Sequence, residues 1–346
     1  MFIEKLVPDY WDRTEYGECY YFSQIKHFKE KGIPAAITKF QYSPQQTTLE
    51  EAQILIFGDS FLDISRGSQF PTLLCEKASL EKVHYVYQEL PLTYLARNNY
   101  MKGSRKILIL GLVERYIPVK FNSPHTSDYS TDVRSKVRKI LGNIKDNVFY
   151  QRSEELYDAL LKRSYATSWI YSKIATLKFD LFGYVSNLTP KYLADPENPW
   201  LFYYDQVNNE NTSFYYNHTD SDMLNICRNI RDLADQLITK YNIELIFLPI
   251  PSQYTLYHRV INNDPYNNFL PRLYHELDKA GIPYIEIYKN LKGSDEILYY
   301  GTDGHWNLKG LNMAVDLVTD YLNNHYNLKS IILSAEIQTG PMKDDK

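Results

Sequence analysis

The chain has 346 residues, of which 44% are hydrophobic and 23% charged, a composition typical of a globular protein with one large domain or two. Its 38 Lys and Arg against 42 Asp and Glu give a formal net charge of -4, which excludes an overall basic surface for nucleic acid. Cys19, Cys75 and Cys227 form no CxxC pair, and the histidines form no HxH or HxxxH pair. We therefore predict neither a disulfide framework nor a metal site.

The N-terminal sequence lacks the basic segment and the following apolar segment of a signal peptide. No stretch reaches the roughly 20 apolar residues that a membrane-spanning helix needs. If Met1 is the native start, we expect a cytoplasmic protein. If a leader has been removed, we expect the protein outside the cytoplasm or in the cell envelope.

In chain order, five apolar segments have the length and the Ile, Val, Leu and aromatic content of strands: 52–58, 82–88, 106–111, 243–249 and 283–287. Helical patterns cover 222–241, 269–281 and 308–324, and Gly281 is a helix stop. Strands that are apolar on both faces indicate a parallel sheet buried between helices. The predicted fold is therefore α/β, a doubly wound and mainly parallel five-stranded sheet whose ligands lie at the carboxyl ends of the strands.

The spacing of these elements predicts the domain organisation. Residues 1–50 are an N-terminal extension, and residues 51–335 are one domain with its sheet core in 51–120 and 222–335. Between the third and fourth strands lies an insertion, 121–221, with a predicted helix at 153–185 and a polar and aromatic loop at 196–222. Residues 336–346 are a tail.

The tripeptide Gly-Asp-Ser follows the first predicted strand and ends at Ser60. A serine displayed at the carboxyl end of a strand is placed to act as a nucleophile. Serine is also a favoured helix N-cap, because its hydroxyl accepts from an early helix N–H. The tripeptide alone leaves both interpretations open.

The segment "GTDGHWN", residues 301–307, holds a possible base and its partner. A nucleophilic serine needs a base within hydrogen-bond reach and a third group that fixes the base's tautomer. Asp303 lies two residues before His305, so that a short turn can bring the carboxylate to Nδ1 and leave Nε2 for Ser60. The alternative is a simple turn, in which Asn307 begins the last helix and His305 has no role.

Taken together, these motifs resemble the SGNH, or GDSL-type, hydrolase family, which implies an SGNH/flavodoxin-like sheet. The likeness is to the bacterial polysaccharide O-acetyltransferases of that group, which include alginate and cell-wall acetylating proteins and the DHHW proteins. It rests on "GDSF" (58–61), "ILILGLVERYIP" (107–118), "FLPIPSQYTLY" (247–257) and "TDGHWN" (302–307). By this resemblance Ser60 is the nucleophile, His305 the general base and Asp303 its orienting carboxylate.

The resemblance also suggests supporting residues. Ordinary SGNH hydrolases complete the oxyanion hole with a Gly in the second block and an Asn in the third, but "HYVYQEL" has no Gly and "GLVERY" no Asn. Arg115 or Tyr116 is then a candidate second donor, with Asp59 and Glu114 as supporting groups. Alternatively, Glu114 and Arg115 form a buried pair that only supports the strand end.

Several aromatic and polar residues are candidates for substrate binding. Trp306 either packs against the triad or lines the acceptor groove, and Gln253 stands where many relatives carry Lys. The remaining candidates are Tyr257 and, in the insertion, Trp200 and Tyr204. Aromatic rings that combine a flat apolar face with a polar edge suit a carbohydrate.

The function that follows is a serine-dependent transfer of acetyl groups to carbohydrate hydroxyls through an acetyl-Ser60 intermediate. One alternative is a carbohydrate esterase or deacetylase, which uses the same triad with water as acceptor. Another is a catalytically inactive glycan-binding or assembly module. No cofactor is expected to stay bound; the donor is either acetyl-CoA or an acetyl group handed over by a membrane partner, and the acceptor is a carbohydrate rather than a nucleic acid.

Overall fold

The computed structural model describes residues 47–62, 69–80, 82–122, 165–183, 188–191, 200–208, 211–261, 265–301 and 304–326. The described strands are β1 (Ile54–Gly58), β2 (Val83–Tyr87), β3 (Lys106–Val113), β4 (Leu188–Lys191), β5 (Trp200–Tyr203) and β6 (Ile243–Ile250). The described helices are α1 (Phe70–Ala78), α2 (Pro91–Arg97), α3 (Ile117–Phe121), α4 (Tyr165–Phe182), α5 (Tyr204–Val207), α6 (Asp220–Tyr241), α7 (Gln253–Ile261), α8 (Phe269–Ala280), α9 (Tyr288–Lys292) and α10 (Leu308–His325). A 3₁₀ turn, Glu114–Tyr116, joins β3 to α3.

The central sheet has four parallel strands in the order β2-β1-β3-β6. The parallel α/β architecture predicted from the sequence is confirmed, with helices flanking the sheet. Because β1 lies between β2 and β3, the chain leaves β1 and β3 toward opposite sides, and a crevice opens at their carboxyl ends. Ser60 follows β1 directly at this crevice.

The predicted fifth strand is reduced to a single bridge between Tyr284 and Phe247. Two backbone hydrogen bonds form it, from the Phe247 N–H to the Pro283 carbonyl and from the Ile285 N–H to the Phe247 carbonyl. Pro283 has no N–H to extend the ladder, and Ile287 is already the N-cap of α9. The segment is therefore too short to continue as a strand.

The two faces of the sheet bury alternate residues of each strand, as the apolar runs predicted. In β1, Ile54 and Ile56 pack toward α1 and α10, whereas Leu55 and Phe57 pack toward α2, α6 and α8. Burying one such side chain contributes roughly 1.5–3 kcal/mol. The sheet is therefore a rigid platform that holds the strand ends in fixed positions.

Local signals begin and end the helices near the site. Gly281 ends α8 with a φ of 61°, which confirms the predicted stop. Asn307 caps α10, because its side chain accepts from the backbone N–H groups of Lys309 and Gly310. A Cβ at Gly310 would lie 2.2 Å from the Leu298 carbonyl oxygen. Only glycine thus lets the first turn of α10 approach the preceding loop.

The insertion contributes a second, two-stranded sheet in which β4 and β5 run antiparallel. The segment expected to be a loop, 196–222, therefore contains β5 and the short helix α5. Of the predicted helix 153–185, the described part is α4. The proposed tail, and all but residues 47–50 of the proposed N-terminal extension, lie outside the described residues. Among the described helices, none combines the length and the apolar character that crossing a membrane requires.

Candidate active site

The turn after β1 is held by the side chain of Asp59. Its Oδ2 accepts from the Val113 N–H at 2.7 Å, and its Oδ1 accepts from the Phe61 N–H at 3.0 Å. The two bonds tie the turn that carries Ser60 to the end of β3. The first described helix after Ser60 begins at Phe70 with Gln69 as its N-cap. Ser60 therefore caps no helix among the described residues.

Burial dominates the electrostatics of Asp59, whose side chain is almost fully enclosed. Desolvation raises the pKa of the Asp59 carboxyl, while the hydrogen bonds from Val113 and Phe61 and the positive charges of Arg115 and His305 act in the opposite direction. As an acceptor of two backbone N–H groups, Asp59 is a brace for the turn.

His305 faces Ser60 from the loop that precedes α10. Its Nε2 lies 2.7 Å from Oγ of Ser60, across 245 residues of sequence. The imidazole is 9% exposed and packs against the Phe61 ring, with 4.7 Å between ring centroids. The Tyr300 N–H donates to the His305 carbonyl oxygen, and Tyr299 forms an isolated bridge with Trp306. A serine and a histidine in this geometry can exchange a proton. Asp303, the expected third member, lies outside the described residues.

The strand β5 of the insertion covers the described part of the segment that carries His305. This part, Gly301 and residues 304–307, is called the histidine loop below. The Leu201 N–H donates to the Gly301 carbonyl at 2.8 Å, and the Trp200 ring lies against Gly301. Tyr203 packs so closely on Gly304 that a Cβ at position 304 would lie 2.4 Å from Cε2 of Tyr203. The insertion thus holds the residue next to His305.

Glu114 is a structural carboxylate at the end of β3. It accepts from the Ser252 N–H at 3.1 Å, from the Thr255 hydroxyl at 2.6 Å and from the Tyr266 hydroxyl. Burial raises the pKa of Glu114, and these three hydrogen bonds oppose the rise. The network joins the end of β3 to the β6–α7 corner.

Arg115 has other contacts than Glu114. Its guanidinium stacks between the rings of Tyr116 and Tyr203, with centroid distances of 4.7 and 5.0 Å, and its Nε lies 3.5 Å from Oδ2 of Asp205. The sequence alternative of a buried Glu114–Arg115 pair is therefore replaced by two separate arrangements. Arg115 is 6% exposed, and its Nη1 has no hydrogen-bond partner among the described residues.

Two expected substrate-binding residues are buried in the fold. Trp306 is 3% exposed and packs between Phe61 and Phe70, which favours the packing role over a place in an acceptor groove. Gln253 is fully buried, and its Nε2 donates to the Tyr300 carbonyl at 2.6 Å. The expectation that Gln253 contacts substrate is corrected, because its side chain instead supports the segment before the histidine loop.

The other three aromatic candidates lie nearer the surface. Trp200 and Tyr257 are half-buried, and their ring centroids are 4.7 Å apart. The Tyr257 hydroxyl accepts from the Leu298 N–H at 2.8 Å. Tyr204, at the start of α5, is 57% exposed. Trp200 and Tyr257 form one aromatic pair beside Gly301, whereas Tyr204 is free to meet solvent.

Sequence reasoning missed the conformation of Gln88, which directly follows β2 in the "HYVYQEL" segment. Its φ of 53° is left-handed, and its N–H donates to the Gly58 carbonyl at 2.8 Å. A non-glycine residue there costs roughly 1–3 kcal/mol. A Gln at this position gives no sequence signal for the left-handed turn.

A comparison with family models found a match in the second half of the chain. Residues 195–335 match the SGNH hydrolase-like domain of acetyltransferase AlgX. The match confirms the resemblance predicted from the motifs, and it includes β5, β6, His305 and α10. Searches of the curated proteins and of the solved structures found no significant match. The AlgX-like segment contains His305 but not Ser60. The hydrogen bond between Ser60 and His305 therefore joins this segment to the turn after β1.

The described residues include no group of three or more His, Cys, Asp or Glu side chains arranged to hold a metal.

Proposed function

We propose that this protein is a serine-dependent acyltransferase that moves acetyl groups onto carbohydrate hydroxyls through an acetyl-Ser60 intermediate. The observation that carries the proposal is the 2.7 Å contact between Ser60 Oγ and His305 Nε2 at the crevice of the sheet. The match of residues 195–335 to an acetyltransferase domain supports the choice of acyl transfer as the reaction class.

In the first half-reaction, Ser60 Oγ attacks the donor carbonyl while His305 Nε2 takes the serine proton. The Oγ–carbon bond forms, the bond to the leaving group breaks, and His305 returns the proton to the leaving group. Asp303 would hold the imidazole in the tautomer that presents Nε2 as the base. The donor is acetyl-CoA or an acetyl group delivered by a membrane partner.

The oxyanion needs donors placed where its charge develops. The Ser60 backbone N–H is the first of these. Arg115 is the better of the two candidates for the second, because its buried Nη1 has no hydrogen-bond partner among the described residues. Tyr116 would then hold Arg115 in place through their stacked contact.

In the second half-reaction, His305 deprotonates a sugar hydroxyl, and the sugar oxygen bonds to the acetyl carbon. The bond from that carbon to Ser60 Oγ breaks, and His305 returns the proton to Oγ. Trp200 and Tyr257 supply a paired aromatic surface next to the histidine loop, and Tyr204 supplies an exposed ring on the same insertion. Aromatic faces of this kind suit the C–H faces of a sugar. Residues 51–335 would form one catalytic domain, and the insertion would select the acceptor.

The test follows the fate of the acetyl group. The protein is loaded with a small activated acetyl ester, oligosaccharides of several types are added, and acetylated sugar is measured against free acetate. A transferase orients its acceptor, so at least one sugar should discharge acetyl-Ser60 faster than buffer does. If every sugar leaves only acetate at the buffer rate, the esterase function replaces this proposal. If Ser60 never loads, the inactive binding module replaces it.

A further inference from the structure

The helix α4 of the insertion carries a line of exposed apolar side chains, called the α4 stripe below. Its members are Ile170, Ile174, Leu177 and Leu181, which are between 49% and 63% exposed. Single exposed apolar residues are normal on a protein surface, whereas a contiguous apolar patch marks a place of interaction. Among the described elements, none packs extensively on α4. The helix lies outside the AlgX-like segment 195–335, so the family match does not account for the stripe.

The spacing of the α4 stripe is that of a coiled-coil seam. Successive members are four, three and four residues apart, which puts Ile174 and Leu181 at heptad position a and Ile170 and Leu177 at position d. A stripe of a and d positions is narrower than the face with which a helix packs on a globular core. The pattern therefore indicates that the occupant of the stripe is another helix.

Charged residues beside the stripe indicate which helix that is. Lys173 and Asp180 both occupy position g, Lys178 occupies position e, and all three are exposed. In a parallel pair of two copies of α4, position g faces position e, so that Lys173 would meet Lys178 twice. In an antiparallel pair, position g faces position g, so that Lys173 would meet Asp180 twice. The antiparallel pair of α4 with itself is therefore complementary in charge.

The C-terminal end of α4 favours the same orientation. The helix ends before Gly183, which has a φ of 61°, and its last turn contains Asp180 but no basic residue. A carboxylate in the last turn is unfavourable, because the carbonyl end of a helix carries a partial negative charge. An antiparallel partner would bring a lysine and its own positive N-terminal end to this carboxylate.

We propose that α4 binds the α4 helix of a second copy of this chain in antiparallel orientation, so that the protein forms a two-fold symmetric dimer. Ile174 of each copy packs on Leu177 of the other copy, and Lys173 pairs with Asp180 across the interface. The seam is about three helical turns long, which makes the interface small and the dimer reversible. The inference does not depend on the chemistry at Ser60.

The experiment is analytical ultracentrifugation of the full chain from about 1 to about 300 μM, which measures the Kd of the dimer. The wild type should shift from monomer toward dimer within this range. Leu177→Asp places a charge in the seam and should raise the Kd roughly tenfold or more. The control is Leu224→Asp, because Leu224 is 51% exposed on another helix, α6. Its Kd should equal that of the wild type.

Charge variants test the orientation of the two helices. In the antiparallel pair, Lys173→Asp and Asp180→Lys each place like charges opposite one another, so each variant alone should self-associate roughly tenfold more weakly than the wild type. A mixture of the two variants restores both opposite-charge pairs, so mixed dimers should form with a Kd close to that of the wild type. The double variant Lys173→Asp/Asp180→Lys should likewise dimerise. Both positions are exposed, and circular dichroism checks that each variant is folded.

Four results would overturn the inference. The first is a wild type that stays monomeric over the whole range of concentration. The second is a dimer whose Kd is unchanged by Leu177→Asp, which would put the interface elsewhere. The third is stronger self-association of Lys173→Asp, which a parallel pair requires. The fourth is a monomer that binds vesicles of phosphatidylcholine and phosphatidylglycerol through Leu177, which would assign the stripe to a membrane surface.

Discussion

Asp59 and Ser60 are neighbours in sequence but have opposite environments. Asp59 is 3% exposed, and its carboxyl oxygens accept two backbone N–H groups. Ser60 is half-buried, and its hydroxyl meets His305. The acidic residue fixes the turn, which leaves the serine hydroxyl directed at its base.

Replacing Asp59 by Asn should destabilise the fold. One carboxyl oxygen becomes an NH₂ group that faces the N–H of Val113 or Phe61, so a buried donor loses its acceptor at a cost of roughly 1–3 kcal/mol. Urea denaturation should report a fall of that size in the free energy of unfolding. Asp235→Asn is the matched control, because the Asp235 side chain is 63% exposed. Equal stability of the two variants would mean that the Asp59 brace is unimportant.

His218 should make stability depend on pH. Burial lowers the pKa of His218 below 6.5, and Arg272 lowers it further, while Asp222 and a hydrogen bond involving Asn211 oppose the shift. Below about pH 6.5 the unfolded chain thus binds more protons than the folded one, and stability falls as the pH falls. Urea unfolding at about pH 5 and about pH 7.5 should show a smaller loss on acidification for His218→Asn than for the wild type. An equal loss in both proteins would assign the acid sensitivity to other groups.

The strand β5 is one of the described elements that contact the histidine loop directly. It contacts the loop twice through aromatic rings, Trp200 on Gly301 and Tyr203 on Gly304, and once through the Leu201 backbone. Tyr203 also stacks on Arg115. A single strand of the insertion therefore contacts both the base's loop and a candidate oxyanion donor.

Gly304→Ala tests this contact. The new Cβ would lie 2.4 Å from the Tyr203 ring, closer than side-chain atoms approach, so the ring or the histidine loop must move. We expect acylation of Ser60 to fall at least tenfold, mainly in kcat, and Tyr203→Leu in the same chain to restore part of it. Gly103→Ala is the control, because its nearest neighbours are 3.9 Å away. If Tyr203→Leu restores none of the acylation rate lost in Gly304→Ala, so that the losses of the two single variants simply add, the proposed contact is contradicted.

Sequence patterns predicted elements better than they predicted the contacts between them. The apolar runs placed β1, β2, β3 and β6 within two residues of their observed ends, and the shared edge of a parallel sheet predicted that Ser60 and His305 would approach. The partners of Glu114 were not predictable, because Ser252, Thr255 and Tyr266 lie 138 to 152 residues away. Gln88 was missed because its left-handed turn is imposed by tertiary structure and not by its residue type.

At the scale of the molecule, the sheet unites parts of the chain that sequence comparison separates. The AlgX-like match covers 195–335, whereas Ser60 and Asp59 belong to the first half of the chain. The strands β1 and β6 both run parallel to β3, so that their carboxyl ends lie at the same edge of the sheet. The proposed reaction depends on both halves of the chain.

The most direct test of this account is the mass of the Ser60 peptide after exposure to an activated acetyl ester. The wild type should gain one acetyl group on Ser60, and Ser294→Ala should behave in the same way. Ser60→Ala should gain none and His305→Ala should gain very little, because the nucleophile and its base act as a unit. An acetyl group carried equally by Ser60→Ala, or found in the wild type only at other residues, would contradict the assignment of Ser60 as the nucleophile.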